Sequence, residues 1–453
     1  MSKKYNIDER ITLKGYWYLP SDPENKIAGI LTYDPNNNNI VLELFGGFDC
    51  SLDALFSNKQ KVVDVIFGKT SDGENITLLY SSRFANINFN ATFPLVSYSS
   101  NYLIIGKHIN GLDDRCNYCA CVRIPELSHW CPPNAVTISL SSQETTRMNI
   151  TFDTQYQNEM NVIEKVQIDD NTSVITAQDV NFNSSEMHLV PRIEQYTYLK
   201  IIKEKETSIK EILWDITTYE QFLSLATLST VKSSSIIVFD NELYWTCDNK
   251  KYYHPISIIH LAGNVKTKAK TAIRTTGFLF DYQTIKDHYA DLLRKWYSEP
   301  ENISPIRSHL IDSLERKKVY SSVDFLVIIQ AIEGFWWRFR DLEYKNSNNI
   351  SKKQKTLLNT ILSELLSEFE DVEQINKLEL NIEAVVDSRH YYSHFVPKTR
   401  KPKTLFGWQL INQAKRLRLL LLCCVLSFLG LQHSVINSIL EECHATILKH
   451  IDS

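Results

Sequence analysis

The segment Arg389-His390-Tyr391-Tyr392-Ser393-His394 places two imidazoles and a permanent cation within six residues. A guanidinium grips a phosphate through a rigid fork of donors, and an imidazole titrating near neutrality can move a proton to or from a ribose oxygen. Together these groups are the minimum needed to cut RNA without a metal. The ribose 2′-OH would attack the adjacent phosphate, a cyclic phosphate would form, and a fragment ending in 5′-OH would leave. The guanidinium would stabilise the charge that develops on the phosphate.

Spacing alone carries little weight, because Arg123 and His129 form a comparable pair in a Cys- and Pro-rich stretch. Setting separates the two. Around the first segment, apolar residues recur at Ile375, Leu378, Ile382, Val385, Tyr392 and Val396, three and four apart, and Arg389 takes a place in that stripe. A buried guanidinium needs a partner, so the stripe is expected to line a cleft or a subunit interface. Pro397 should stop the helix. On an ideal helix His390 and His394 share a face. Arg389 and His394, five apart, diverge by about 140°, which points to a site completed by other elements or by a second subunit. The helix C-terminus would favour a protonated His394, suited to an acid role.

The whole chain carries 49 basic and 53 acidic residues, a net charge of −4, so it is no polycation. From Ser388 through Leu440, however, there is no Asp or Glu, while Lys398, Arg400, Lys401, Lys403, Lys415, Arg416 and Arg418 follow Arg389. Local positive potential beside two histidines attracts phosphate. Lys398, Arg400, Lys401 and Lys403 are the expected RNA contacts.

The elements that must hold these residues fall into two classes. Runs such as Ile40 to Leu44, Val62 to Phe67, Asn75 to Tyr80 and Tyr102 to Ile105 read as strands separated by Asn-, Asp- and Gly-bearing turns. The first 270 or so residues are therefore expected to form antiparallel sheet, as a sandwich or open barrel. Helical periodicity takes over through Asp287 to Tyr297, Ile306 to Glu315, Val323 to Leu342 and Gln354 to Glu368. The chain of 453 residues is thus expected to be an α+β protein of two domains, 1–275 and 276–453, divided near the basic strip Lys266 to Lys270. Met1-Ser2-Lys3-Lys4 does not open like a signal peptide. The longest apolar run, Leu419 to Leu431, has 13 residues, short of the about 20 a bilayer crossing needs. A cytoplasmic location without membrane insertion is expected.

Cys116, Cys119, Cys121 and Cys131 fall in a 16-residue window with His129, in the order Cys-x2-Cys-x-Cys-x7-His-x-Cys. In a reducing compartment such clustering favours metal over disulfides. A structural zinc site at 116–131 would take Cys116, Cys119, His129 and Cys131, with Cys121 the alternative to His129. No carboxylate cluster suggests a catalytic metal. In Glu333-Gly334-Phe335-Trp336-Trp337-Arg338-Phe339-Arg340, helical spacing puts Phe335, Trp336, Phe339 and Leu342 on one apolar stripe, expected in the core. Arg338 and Arg340 are expected to reach outward, and Glu333 stands where it can pair with a motif residue of a neighbouring helix.

Two parts of the chain resemble a known family. Val385 to His394 is similar to the Arg, polar residue, three further residues, then His of the HEPN superfamily. Lys14-Gly15-Tyr16-Trp17-Tyr18-Leu19-Pro20, Ala28 to Tyr33 and Leu42 to Gly46 resemble the opening of the ApeA amino-terminal domain. The chain therefore looks like an ApeA-like HEPN protein of bacterial anti-phage defence. Family members commonly carry Asn or Asp after the motif Arg, where this chain has His390. The resemblance implies a carboxy-terminal all-α HEPN bundle acting as a homodimeric, metal-independent endoribonuclease, with Arg389 and His394 at a dimer interface. It also implies an amino-terminal domain that keeps the RNase silent until a phage trigger appears, and transfer RNA as the target in abortive infection. The alternative is a non-catalytic HEPN-type module that binds RNA, a nucleotide or a protein.

Overall fold

The structure is a computed structural model. It describes residues 5–48, 62–83, 95–116, 118–142, 148–154, 161–183, 192–261, 278–298, 300–315 and 322–447. The strip Lys266 to Lys270 and the expected boundary at 275 lie outside the described residues. Packing divides the chain into two units. One comprises Met1–Ser128, Pro132–Thr217 and Lys232–Ile273, the other His129–Cys131, Thr218–Val231 and Arg274–Ser453.

Alternation with a period of two builds the first unit. In β1 (Ile11–Leu19) Ile11, Leu13 and Trp17 point inward, and in β3 (Asn39–Phe45) Ile40, Leu42 and Leu44 do the same. With β2 (Asp22–Asp34), β4 (Val62–Thr70), β5 (Asn75–Arg83) and β6 (Leu95–Ser99) they pair antiparallel in the order β5-β4-β1-β2-β3-β6. Ser82 and Arg83 of β5 then pair with Ser99 and Tyr98 of β6, which closes the ring. Of the two expected architectures the barrel is realised, and it is closed rather than open. Its interior is filled by Trp17, Leu31, Ile40, Leu42, Leu44, Ile66 and Leu78, all fully buried. The Trp17 ring lies where a Cβ on Gly68 would stand, so only glycine fits opposite it. From β5 the same antiparallel sheet continues through β7 (Tyr102–Ile105) to an outer edge at Asn161–Gln167, thirteen strands among the described residues.

One helix in this strand-rich stretch is absent from the sequence-based expectation. Residues 209–227 include three Ile, three Thr, a Tyr and a Trp, types that favour strands, yet they form a 19-residue helix, Ile209–Thr227. The overlooked signal is a capping box: the Ser208 N–H donates to Glu211 Oε2 at 2.9 Å, and the Glu211 N–H donates to Ser208 Oγ at 3.2 Å.

Helices of the second unit are numbered along the chain, with α1 (Leu127–Trp130) and α2 (Ile209–Thr227) reaching it from the strand-rich region. There follow α3 (Tyr282–Ile285), α4 (Tyr289–Ser298), α5 (Pro300–Glu315), α6 (Ser322–Phe339) and α7 (Asp341–Ser347). The last are α8 (Leu358–Glu368), α9 (Glu373–Asn376), α10 (Ile382–His394), α11 (Gly407–Phe428) and α12 (His433–Ile447). An amino-terminal β region followed by a helical region is the α+β organisation expected. Leu419 to Leu426 of α11 are buried throughout, and among the described residues no helix is long and apolar enough to cross a membrane. Phe335 and Trp336 of α6 are core residues as expected, but Leu342 is 59% exposed because the helix breaks at Arg340. Arg340 does not reach outward: its guanidinium is clamped by Glu368 through Nε and Nη2, at 2.8 to 3.2 Å.

Candidate active site

Helix α10 carries the motif and packs on α6 and α8. Asn381 caps it, its side chain accepting from the Ala384 N–H at 3.0 Å. Ala384, Val385 and Ser388 form its buried face, and Ser388 is fully buried. The apolar series read from the sequence is therefore interrupted in space, since α9 ends at Asn376 and a new helix begins at Ile382. Arg389 does not replace an apolar residue in a closed core. It leaves the helix half-buried and meets Glu333 of α6, Nη2 to Oε2 at 3.3 Å, the partner a desolvated guanidinium requires.

His394 is the last residue of α10, and Phe395 caps the end in the left-handed conformation, φ 54°, its N–H donating to the His390 carbonyl. Here the expectation of diverging side chains fails. Arg389 Nη1 and His394 Nε2 are within hydrogen-bonding distance in one chain, because the long arginine stem reaches across the final turn. The angular argument for a site shared by two subunits therefore falls away. A guanidinium only donates, so this contact uses the Nε2 lone pair, with the ring proton on Nδ1. The His390 and His394 rings lie 5.7 Å apart on one face, as their spacing requires. Burial lowers the His390 pKa below its ordinary value, and the charges of Lys401, Arg389 and His394 lower it further, against an opposing pull from Asp387. Its neutral form is thus favoured in the fold, and what stability this lends above the ordinary value is lost as pH falls through the lowered one. Lys401→Gln removes a depressing charge and leaves the Asp387 carboxylate without its ammonium partner, so the His390 ring signals should titrate at higher pH than in the wild type when followed by NMR.

The acid-free stretch of sequence is not acid-free in space. Lys401 pairs with Asp387 at 3.2 Å, while the Lys403 backbone N–H donates to Asp387 at 3.1 Å and its ammonium pairs with Glu383. Both acids lie on α10 just before the motif, Asp387 two residues and Glu383 six residues ahead of Arg389. Arg416 bonds Glu379, and Arg418 is directed to Ser313 at 3.1 Å, so neither belongs to the basic surface. Of the four expected RNA contacts, Lys398 and Arg400 stand in an exposed turn, the Lys398 ammonium 4.7 Å from the centre of the Phe406 ring.

Ser388 and Asp387 were not singled out by sequence. Ser388 Oγ donates to the Ala384 carbonyl at 2.7 Å and accepts the Leu405 N–H at 2.8 Å, and Tyr392 Oη donates to the Leu405 carbonyl at 3.0 Å. These bonds fasten the basic loop to α10. Ser388→Ala strands the Leu405 N–H and should cost about 1 to 3 kcal/mol in chemical denaturation.

The cysteine window is arranged differently from the zinc expectation. Among the described residues no three His, Cys, Asp or Glu side chains are grouped as a metal site. Cys116, Cys119 and Cys121 belong to the first unit, His129 and Cys131 to the second. Lys107 Nζ donates to Cys116 Sγ at 3.1 Å. Cys119 and Cys121, two apart on strand Tyr118–Arg123, lie on one face, and a hydrogen bond from Cys121 lowers the Cys119 thiol pKa. Burial, helped by Asp281, pushes the Cys131 thiol up to about 12. What organises the end of this window is Trp130, fully buried, its Nε1 donating to the Phe280 carbonyl at 2.9 Å among the rings of Phe222, Tyr282 and Tyr289. Arg123 of the second Arg/His pair is held by Glu194 at 2.6 Å and stacks over Tyr196, a structural arrangement.

Fold and motif together define a HEPN-family, nuclease-like module joined to a large antiparallel β region. Two family models match: ApeA N-terminal domain 1 over residues 12–296 and Apea-like HEPN over residues 326–434. The chain belongs to the ApeA-like HEPN family. No curated protein and no solved structure matches it.

Proposed function

We propose that the chain is a metal-independent endoribonuclease of an anti-phage, abortive-infection system, active as a cytoplasmic homodimer, with Arg389, His390 and His394 as its catalytic residues. The observation that carries this reading is the contact of Arg389 with His394 beside Glu333, which poses a donor fork and an imidazole at one surface point. An incoming phosphate competes for the guanidinium donors and frees the His394 Nε2 lone pair, which takes up a proton from solvent before the cleavage step. His390, disposed to be neutral, takes the 2′-OH proton, and His394 at the helix C-terminus gives a proton to the leaving 5′ oxygen. Arg389 stabilises the charge on the phosphate. Lys398 and Arg400, exposed in the turn after the motif, guide the RNA backbone, while Lys401 and Lys403, also expected there, are engaged by Asp387 and Glu383.

The exposed ring of Phe395, 86% accessible and next to His394, gives an apolar surface beside the site for a second copy. Transfer RNA as target, and restraint by the amino-terminal domain, residues 1–275, until a phage trigger arrives, rest on the family resemblance alone. Incubation with total RNA in excess chelator tests the enzyme. New ends bearing cyclic phosphate support it, whereas binding without cleavage supports a non-catalytic RNA-binding module.

A further inference from the structure

Beside the motif lies a cleft of about 430 Å³ between the start of α8 and the outer face of α10. That volume falls in the range of small-ligand sites, about 300 to 1,000 Å³. Leu357, Val386 and Pro402 give it apolar walls, Asn359, Asp387 and His390 add polar edges, and Glu383 also lines it with its charge taken by Lys403. His390 is the link to the catalytic pair: it walls the cleft, and it stands one helical turn, about 6 Å, before His394. A phosphate held at Arg389 and His394 would thus leave the base of its own nucleotide over this cleft.

We propose that the cleft seats a nucleobase of the RNA and selects for bases bearing an exocyclic amine, through acceptance by Asp387. This rests on the endoribonuclease reading above. Asp387 is held in place by Lys401 and by the Lys403 N–H, one to each carboxylate oxygen, and each oxygen keeps a further acceptor position. Its charge is matched by Lys401, so it does not repel the backbone. A carboxylate accepts from cytosine N4, whereas uracil presents a carbonyl oxygen there and is turned away. Asn359, exposed on the first turn of α8, both donates and accepts, so it strengthens binding without choosing between bases.

The test is a calorimetric titration of the full chain with cytidine 3′-monophosphate and uridine 3′-monophosphate. Cytidine should bind roughly fivefold tighter, one hydrogen bond's worth. Asp387→Asn, which keeps an acceptor for the Lys403 N–H, should bring the ratio near one, while Asn359→Ala should weaken both nucleotides and keep the ratio. Equal binding by the wild type, no binding, or a ratio untouched by Asp387→Asn overturns the proposal. Discrimination between the nucleotides without His394-dependent cleavage of RNA would leave the base seat standing and remove the endoribonuclease reading instead.

Discussion

His394→Ala is expected to slow RNA cleavage by roughly 100-fold or more, and Arg389→Ala by a comparable factor, because one removes proton transfer and the other the positive fork at the phosphate. The two act through one contact, so the double variant should cost little more than the worse single change. Arg389→Lys should not rescue activity: a lysine keeps the charge but cannot offer one N–H to His394 and another to Glu333 in a fixed plane. The measurement is the rate at which cyclic-phosphate ends appear in excess chelator, with circular dichroism to confirm folding. Cleavage by His394→Ala at the wild-type rate would remove the site.

Trp130→Ala is expected to cost about 3 to 5 kcal/mol, since it empties a fully buried indole volume and strands the Phe280 carbonyl. Trp130→Phe keeps an aromatic ring and loses the hydrogen bond, for a cost nearer about 1 kcal/mol. Exhaustive treatment with a chelator should leave the melting temperature unchanged, because among the described residues no three of these side chains are grouped as a metal site and the Trp130 end of the window is packed among rings. A chelator-induced fall, with about one equivalent of zinc released, would restore the metal site that the cysteine spacing suggests.

Legibility followed the range of the interactions. Strands with period-two alternation and helices with strong amphipathic stripes were visible because the pattern lies within one segment, as in Ile40 to Leu44 and in α8. Ring closure was not visible, since it depends on β1 pairing with β4 and β3 with β6, strands far apart in the chain, before Ser82 and Arg83 of β5 can meet β6. At the site, the pairing of Glu333 with a motif residue was foreseen. The meeting of Arg389 with His394 was not, because ideal helical angles describe Cα positions and ignore the reach of a guanidinium. Charge counting misled for a related reason: Glu383 and Asp387 stand just before the acid-free stretch, and the loop folds its lysines back onto them.

The positive φ of Phe395 has a thermodynamic consequence. A left-handed cap is ordinarily glycine's place, and a phenylalanine there gives up about 1 kcal/mol while leaving its ring in water. An isolated chain would therefore be more stable with glycine at 395. The strain sits next to His394, so the fold carries it at the residue that turns the chain out of the motif helix.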